Sequence, residues 1–184
     1  MNDTRPFVTL DLDGVICSPP FGVNVGISAR FLDADAAPAP ARVPPRALSR
    51  VADRLRFDFR RPLPEAAAAL HELQALRRIV LLTGRRTSPE RWLRRHGLAD
   101  AIERVVINDT PLRSPHFKLA LLAQLAPREH VDDDGRTAQL LAERSAVRVY
   151  LRDWPRNRDA QYAAGVERIA DLAAFVRLVR AGEA

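Results

Sequence analysis

Two aspartates separated by one residue follow a short apolar run near the start of the chain. The run is Phe7–Leu10, and Asp11 and Asp13 come directly after it, with Gly14 next. A strand alternates its side chains, so Asp11 and Asp13 are expected to point the same way. Two such carboxylates repel each other unless a cation lies between them or one holds a proton. The spacing therefore indicates a cation site or an acid–base pair, with Gly14 turning the backbone tightly past the ligand.

Polar residues follow further apolar runs in the same way. They are Thr83-Gly84-Arg85, Asn108-Asp109, Asp132-Asp133-Asp134 and Arg152-Asp153. In open α/β sheets, ligands bind beyond the carboxyl ends of the strands, so these residues are predicted to form one site. Carboxylates that face a hydroxyl and several arginines suit a divalent cation and an anionic substrate.

Each group also has a simpler structural interpretation. Asp11 and Asp13 could cap a loop, and Thr83-Gly84 could be an ordinary turn after a strand. The three consecutive aspartates could form a turn and the N-cap of the next helix, and Asp134 is the residue expected at that cap. Three adjacent carboxylates after a buried strand nevertheless favour a cation.

Lys118 is the one lysine among the 29 basic residues counted as Lys and Arg. A compact ammonium fits beside a carboxylate where the planar fork of arginine does not. Lys118 is therefore predicted to join the site, with chance retention of a lysine as the alternative. The four histidines, His71, His96, His116 and His130, show no metal-ligand spacing and are assigned to packing or to the surface.

Strands and helices alternate over most of the chain and would position these residues. Strands are predicted at 7–10, 79–82, 105–107, 130–131 and, as the last strand, 147–151; helices are predicted at 64–76, 88–97, 115–126, 137–144 and 169–179. This alternation is typical of an α/β, doubly wound, mostly parallel Rossmann-like sheet covered on both faces. Trp92, Leu93 and Leu98 are expected in its core.

A proline-rich stretch, residues 16–64, interrupts the pattern after the first strand. We interpret it as a small cap-type insertion within a single domain spanning residues 1–184. Its first half is predicted to be loop, and residues 46–56 a helix.

The formal charge of +6 and the pI of about 10.7 bear on partners. A nucleic-acid surface is one interpretation, but the arginines are spread over helices and loops, which favours a solvated basic surface that attracts small anions.

Cys17 is the one cysteine, so no internal disulfide forms, and a buried packing role in a reducing cytoplasm is expected. No apolar run is long enough to cross a bilayer, and the N-terminus lacks the apolar core of a signal peptide, so no membrane partner is expected.

Four of these motifs occur in the order found in the haloacid dehalogenase superfamily of phosphohydrolases, which the chain resembles. They are Asp11–Val15 (DLDGV), Leu82–Arg85 (LTGR), Lys118 at a helix start, and Asp132-Asp133 after a short strand. The resemblance covers residues 7–179 apart from the insertion. Residues 83–86, 91–93 and 152–157 are similar to the deoxyribonucleotidase-like branch, whereas the insertion does not match the nucleotidase cap.

The resemblance implies a Mg²⁺-dependent phosphomonoesterase. Asp11 would attack phosphorus and form an aspartyl-phosphate, and Asp13 would protonate the leaving oxygen and later deprotonate water. Thr83 would donate its hydroxyl to a phosphoryl oxygen, and Lys118 would neutralise charge near Asp11. The metal set would be Asp11, Asp13 through its backbone carbonyl, and Asp133 with Asp132 beside it, the order of the last two being open by one residue.

Gly84, Arg85, Asn108 and Arg152 are the candidate substrate-binding residues at the strand ends. In this superfamily the insertion often selects the substrate, which makes Phe21, Asn24, Arg30 and Phe31 candidate lining residues. The expected substrate is a small phosphorylated metabolite, first of all a nucleoside monophosphate. A phosphatase acting on nucleic-acid ends and a non-catalytic module that binds phosphorylated ligands are the alternatives. The choice between phosphatase and phosphotransferase, and the oligomeric state, stay open.

Overall fold

The computed structural model describes residues 3–19, 59–162 and 165–182, and these form a single parallel sheet with helices. The strands are β1 (Phe7–Leu10), β2 (Arg78–Thr83), β3 (Arg104–Ile107), β4 (Glu129–Asp132), β5 (Arg148–Arg152) and β6 (Val166–Ile169). Their spatial order is β3-β2-β1-β4-β5-β6, and each neighbouring pair is parallel. The helices are α1 (Ala66–Leu76), α2 (Glu90–Arg95), α3 (Ser114–Leu125), α4 (Gly135–Arg144) and α5 (Leu172–Ala181), with a 3₁₀ turn at Ala99–Ala101.

Each face of the sheet has its own hydrophobic core. Leu10 of β1 packs on one face in the cluster that holds Leu73 of α1 and Phe175 of α5. On the other face, Leu82 of β2 belongs to the cluster that holds Phe117 of α3. Helices therefore cover both faces, which confirms the predicted doubly wound α/β architecture. Trp92, Leu93 and Leu98 are buried in the first core, as expected.

The order of the strands changes direction at one point in the sheet, which lies between β1 and β4. From β1 it proceeds outward through β2 to β3, then returns to place β4 on the other side of β1. Thr9 pairs with His130 in the β1–β4 register, so the residues two positions later, Asp11 and Asp132, emerge side by side. This switch point is where open α/β sheets bind ligands.

The structure corrects the prediction at the C-terminal edge of the sheet. The strand predicted to be last, at 147–151, is followed by β6, and Ile169 ends that strand instead of starting the closing helix. Only Ile169 of this edge strand is buried, whereas Glu167 and Arg168 are exposed. The strand therefore has no apolar run that would mark it in the sequence. The helix begins after Asp171, whose carboxylate accepts the N–H of Ala174 at 2.7 Å.

The two ends of the predicted insertion meet beside the carboxyl end of β1. The backbones of Cys17 and Pro62 pair in an isolated antiparallel β-bridge, and the N–H of Leu63 donates to the carbonyl of Ile16 at 2.9 Å. Residues 20–58, with the helix predicted at 46–56, lie outside the described residues, so the cap-type domain division stays a prediction. Within the described ranges, no helix has the length and apolar character needed to span a membrane.

A buried ion pair joins the end of α1 to β4, the strand that leads to Asp132. Arg77 donates from Nε and Nη2 to the two carboxylate oxygens of Glu129, each at 2.9 Å. Both side chains are 1% exposed, and Arg148 also donates to Glu129 at 2.8 Å. A buried carboxylate is tolerated only while such partners remain, so this pair constrains the base of the site's central strand.

Replacing Arg77 by Gln is expected to lower the free energy of unfolding by about 2–3 kcal/mol, because it removes the main partner of a buried carboxylate. Arg78→Gln is the matched control, since the adjacent Arg78 pairs with Glu103 at the surface. The loss in Arg78→Gln should be clearly smaller, because solvent screens an exposed ion pair. Urea unfolding of both variants measures the difference. Equal losses would show that burial of the Arg77 pair has no energetic consequence.

Candidate active site

Lys118 lies between two carboxylates at the switch point. Its Nζ donates to Oδ1 of Asp11 and to Oδ2 of Asp132, each at 2.8 Å. The side chains are 4%, 8% and 1% exposed, so the three charges are held away from water. Burial acts to lower the pKa of Lys118, but Asp11 and Asp132 outweigh it and raise that pKa above its usual value. The ammonium therefore stays charged, and the structure places Lys118 beside both carboxylates, while its catalytic role stays a prediction.

The two carboxylates on Lys118 differ in their ease of ionisation. Burial, together with the charges of Asp132 and Asp13, raises the pKa of Asp11 to about 7 despite the contact with Lys118. Burial also acts to raise the pKa of Asp132, but Lys118 and His130 overcome it and hold that pKa well below its usual range. Asp132 is thus a permanent anion, whereas Asp11 in the metal-free protein titrates near neutrality.

His130 extends this polar cluster into the sheet. Its Nδ1 lies 2.8 Å from Oγ1 of Thr9, and its Nε2 lies 3.1 Å from Oδ2 of Asp132. Burial lowers the pKa of His130, so the ring is neutral. The network then assigns the proton to Nε2, which donates to Asp132, while the Thr9 hydroxyl donates to Nδ1. His130 was predicted to lie in the packing or at the surface, without a place in the site; its position two residues before Asp132, on the same strand face, is the signal that points to one.

Asp132 has little capacity left for a metal. Its Oδ2 accepts from Lys118 and His130, and its Oδ1 accepts the N–H groups of Asp133 and Asp134 at 2.9 and 3.0 Å. Four hydrogen bonds occupy the lone pairs of this carboxylate. Its geometry is that of a residue that orients Lys118, and it favours Asp133 over Asp132 as a direct ligand.

The donor set fits a hard divalent cation. Carboxylate oxygens of Asp11, Asp132 and Asp133 all lie within 4.8 Å of one another, and all three residues are buried. Burial and the neighbouring charges of Asp11 and Asp132 raise the pKa of Asp133 well above its usual value. A bound cation such as Mg²⁺ would relieve that repulsion, and oxygen ligands are the ones it prefers.

Arg156, in the loop after β5, also contacts Asp133. Its Nη2 donates to the carbonyl of Asp133 at 2.6 Å and to Oδ2 at 2.9 Å. Asn157 donates to the same carbonyl at 3.1 Å and so ties the loop to the end of β4. Arg156 belongs to the 152–157 stretch that carries part of the resemblance, but it was not among the predicted site residues.

Gly14 allows Asp133 to approach the loop after β1. Its φ is +76°, and a Cβ at this position would lie 1.7 Å from Oδ2 of Asp133. Trp154 Nε1 donates to the Gly14 carbonyl at 3.0 Å, and Arg152 donates to the Gly14 and Val15 carbonyls at 3.3 and 3.2 Å. The guanidinium of Arg152 thus supports the loop, and its predicted substrate role stays a prediction.

Two arginines hold the carboxylate of Asp13. Arg85 donates from Nε to Oδ2 at 2.9 Å and from Nη2 to Oδ1 at 2.5 Å. Arg60, at the end of the insertion, contacts Oδ1 as well. Burial acts to raise the pKa of Asp13, but the two guanidiniums lower it overall. Arg85 was predicted for the site, whereas Arg60 belongs to no motif and was missed.

Thr83 and Gly84 connect the end of β2 to the helix that carries Lys118. Thr83 is buried, and its Oγ1 accepts the N–H of Arg85 at 3.3 Å. A Cβ on Gly84 would lie 2.2 Å from Oγ of Ser114, the first residue of α3. Gly84 is therefore needed for close packing of the loop against α3, and its predicted substrate contact stays a prediction.

The remaining predicted residues have identifiable places. Asn108 is buried, and its described side-chain contacts lie in its own loop, with Nδ2 donating to Leu112 O at 2.8 Å. Asp134 caps α4 as expected, accepting the N–H of Thr137 at 2.9 Å. Cys17 is buried, and burial raises the pKa of its thiol to about 12, which agrees with a packing role. The predicted lining residues Phe21, Asn24, Arg30 and Phe31 lie outside the described residues.

The sequence matches no known family model and no curated protein, but the fold is shared with solved structures. L-2-haloacid dehalogenase from Xanthobacter autotrophicus, solved with chloropropionic acid covalently bound, aligns with a TM-score of 0.62 and 14% identity, covering 96% of this chain and 99% of that one. A haloacid dehalogenase-like family hydrolase from Xanthomonas campestris aligns with a TM-score of 0.59 and 14% identity, covering 96% of each chain. A candidate phosphoglycolate phosphatase from Lactobacillus plantarum aligns with a TM-score of 0.58 and 14% identity, covering 96% and 100%.

The chain therefore has the haloacid dehalogenase fold, as the order of its four motifs indicated. At these identities the structural likeness concerns the fold, so the chemistry must be argued from the site itself. The similarity to the deoxyribonucleotidase-like branch stays a prediction.

Replacing Gly14 by Ala is expected to displace Asp133 and to weaken Mg²⁺ binding, in addition to straining the backbone. Gly97→Ala is the matched control, because Gly97 has a φ of +67° but a Cβ there would meet nothing within 4 Å. Backbone strain alone costs about 1–3 kcal/mol in either variant. Calorimetric Mg²⁺ titration should separate them, with loss of binding in Gly14→Ala only. Equal Mg²⁺ affinity in the two variants would contradict a role for this close approach in metal binding.

In metal-free buffer, the wild-type protein is expected to lose stability relative to Asp11→Asn as the pH rises. The pKa of Asp11 moves from 3.8 to about 7 on folding. Between these values the folded state binds more protons than the unfolded state, so the free energy of unfolding falls with pH, by at most about 1.4 kcal/mol per unit. The Asn side chain has no such proton. Urea unfolding across this range checks the trend, and a constant or rising difference would contradict it.

Proposed function

We propose that this chain is a Mg²⁺-dependent hydrolase of phosphate monoesters that acts through an aspartyl-phosphate on Asp11. The observation that supports the proposal most is the buried contact of Lys118 with both Asp11 and Asp132. This arrangement presents a carboxylate at the carboxyl end of β1 while limiting the repulsion from its neighbours. An anionic substrate could approach Asp11 only with such compensation.

The contacts of Asp11 with the described residues leave one of its oxygens for attack. Lys118 donates to Oδ1, so Oδ2 is the nucleophile. As Oδ2 forms its bond to phosphorus, the bond from phosphorus to the leaving oxygen breaks, and water later cleaves the acyl phosphate. The Lys118 ammonium stabilises the negative charge that gathers beside Asp11 during both steps.

Two further side chains have roles that follow from their contacts. Asp13 would give a proton to the leaving oxygen and later take one from the hydrolytic water. Because Arg85 and Arg60 lower the pKa of Asp13, its carboxylate would first have to weaken these contacts and take up a proton from solvent. The hydroxyl oxygen of Thr83 accepts from the N–H of Arg85, which directs its proton to another acceptor, and a phosphoryl oxygen would serve. Asp132 would keep Lys118 in place, supported by His130.

Asp11, Asp133 and the backbone carbonyl of Asp13 are the groups that would hold Mg²⁺. When bound, the ion would neutralise charge on the phosphoryl oxygens and fix their orientation. Asp133 is suited to this because burial beside Asp11 makes its isolated ionised form unfavourable.

The side chains favour phosphoryl transfer over displacement of halide from carbon, a reaction for which the shared fold also has named examples. Halide leaves as a stable anion and needs neither a proton from a second carboxylate nor a divalent cation. Asp13 and Asp133 would have no task in that reaction. A small phosphorylated metabolite is the proposed substrate, with a nucleoside monophosphate to be tested first; the net positive charge would attract either that or a nucleic-acid end.

Purified protein is expected to release phosphate from at least one member of a phosphomonoester panel with Mg²⁺ and to stop when EDTA is added. The panel holds nucleotides, sugar phosphates, phosphorylated carboxylic acids and a 3′-phosphorylated oligonucleotide. Asp11→Asn should lower kcat by on the order of 10³-fold or more, because it removes the nucleophile. Asp100→Asn, at an exposed position in the 3₁₀ turn, is the matched control and should keep full activity.

Three outcomes would count against the proposal. Undiminished activity of Asp11→Asn would exclude the aspartyl-phosphate, and activity that persists in EDTA would exclude the metal. Release of halide from a 2-haloacid in place of phosphate from the panel would assign the site to the other chemistry of this fold.

A further inference from the structure

The carboxylate of Asp13 occupies an anion-binding site formed by the chain's own arginines. The side chains of Arg60 and Arg85 are 7% and 5% exposed, whereas that of Asp13 is 26% exposed. Arg85 donates two hydrogen bonds to the carboxylate, one to each oxygen, and Arg60 is a third donor, to Oδ1. This fork geometry is the one by which arginine recognises carboxylates and phosphates.

Both arginines are held in place by contacts other than those with Asp13. Trp92 Nε1 donates to the carbonyl of Arg60 at 2.9 Å, and the carbonyl of Arg85 accepts the N–H of Asn108 at 2.8 Å. The Cys17 thiol lies 3.6 Å from Nη2 of Arg85 and 3.9 Å from Nη1 of Arg60, and being neutral it supplies no charge. These contacts hold the backbone of both residues, and the two guanidiniums are buried side by side against Cys17, where they can receive an oxyanion.

In the proposed reaction, Asp13 has to transfer a proton while it is also bound to the two arginines. To exchange a proton with the leaving oxygen, a carboxylate oxygen must come within hydrogen-bond reach of it. Oδ1 accepts from both arginines and Oδ2 from Arg85, and a carboxylate that takes up a proton becomes a weaker acceptor, so these contacts weaken when Asp13 carries a proton. An oxyanion on the leaving group would then accept from the arginine N–H groups, because the leaving group is the part of the substrate that lies beside Asp13.

We propose that Arg60 and Arg85 recognise a negatively charged group on the leaving-group side of the substrate, a carboxylate or a second phosphate, which takes the place of Asp13. This inference rests on the proposed hydrolase function and narrows its substrate class. Esters whose leaving group is neutral would leave Asp13 bound to the arginines and would react slowly. A plain nucleoside 5′-monophosphate is such an ester, whereas a nucleoside 3′,5′-bisphosphate is not.

Two matched pairs of esters test the proposal and distinguish the two sources of the charge. The carboxylate pair is 2-phosphoglycolate and ethyl phosphate; the phosphate pair is a nucleoside 3′,5′-bisphosphate and the corresponding 5′-monophosphate. For at least one pair, wild-type kcat/KM should be higher for the charged ester by roughly 10- to 100-fold, the range expected for a charge-assisted hydrogen bond. The pair that shows the preference identifies the group.

Substitution of the arginines should abolish that preference. In Arg60→Gln and Arg85→Gln the ratio of kcat/KM within the pair is expected to fall close to one, and Arg60→Lys should restore part of it. Arg61→Gln is the matched control, since Arg61 is adjacent and exposed, and its ratio should equal that of the wild type. A ratio within one enzyme does not depend on the fraction that is correctly folded.

A wild-type ratio near one for both pairs, or a ratio that survives both glutamine substitutions, would overturn the inference while leaving the hydrolase proposal intact. If no ester is hydrolysed, the hydrolase proposal fails, and calorimetry then decides the inference separately. Tighter binding of 2-phosphoglycolate or the bisphosphate than of its partner, lost in Arg60→Gln, would support the anion site. Equal binding within each pair would overturn it.

Discussion

The ammonium of Lys118 is the contact on which the rest of the site depends. It permits Asp11 and Asp132 to lie together in a place that water does not reach. Two buried carboxylates without a shared cation would repel each other, and one would take up a proton. Because β1 and β4 are neighbours, Asp11 and Asp132 emerge side by side, and Lys118 on α3 contacts both of them.

The same contact continues inward as a chain of hydrogen bonds. Asp132 accepts from His130, and His130 accepts from Thr9 on the neighbouring strand. The register of β1 with β4 places Thr9 opposite His130, so the network lies between paired strands and shares their rigidity. Such a satisfied buried network holds Lys118 in one direction, which suits a group that must meet charge developing in a transition state.

The outer part of the site is organised differently. Its cations are arginines on loops, with Arg60 and Arg85 on Asp13 and Arg156 on Asp133. These carboxylates are the ones to which the proposed chemistry gives a proton or a metal ion. Arginine partners outside and a lysine partner inside thus separate contacts that can be exchanged during turnover from contacts that maintain the site. The fold is shared by proteins named for different chemistries, so the chemistry of this chain has to be argued from its side chains.

Local patterns in the sequence determined the strands and the residues at their ends. Side-chain alternation along a strand and the meeting of parallel strands at one edge are short-range rules, and they suffice to bring Asp11 and Asp132 to one place. Lys118 was recognisable as the one lysine of the chain. Only the tertiary structure decided the partners. Arg60 meets Asp13 across 47 positions, and the contact depends on where the insertion returns to the core, which no local periodicity encodes. The edge strand β6 was not predicted from the sequence for a related reason. Its pairing with β5 orders it, while two of its four side chains face solvent and give no apolar signal.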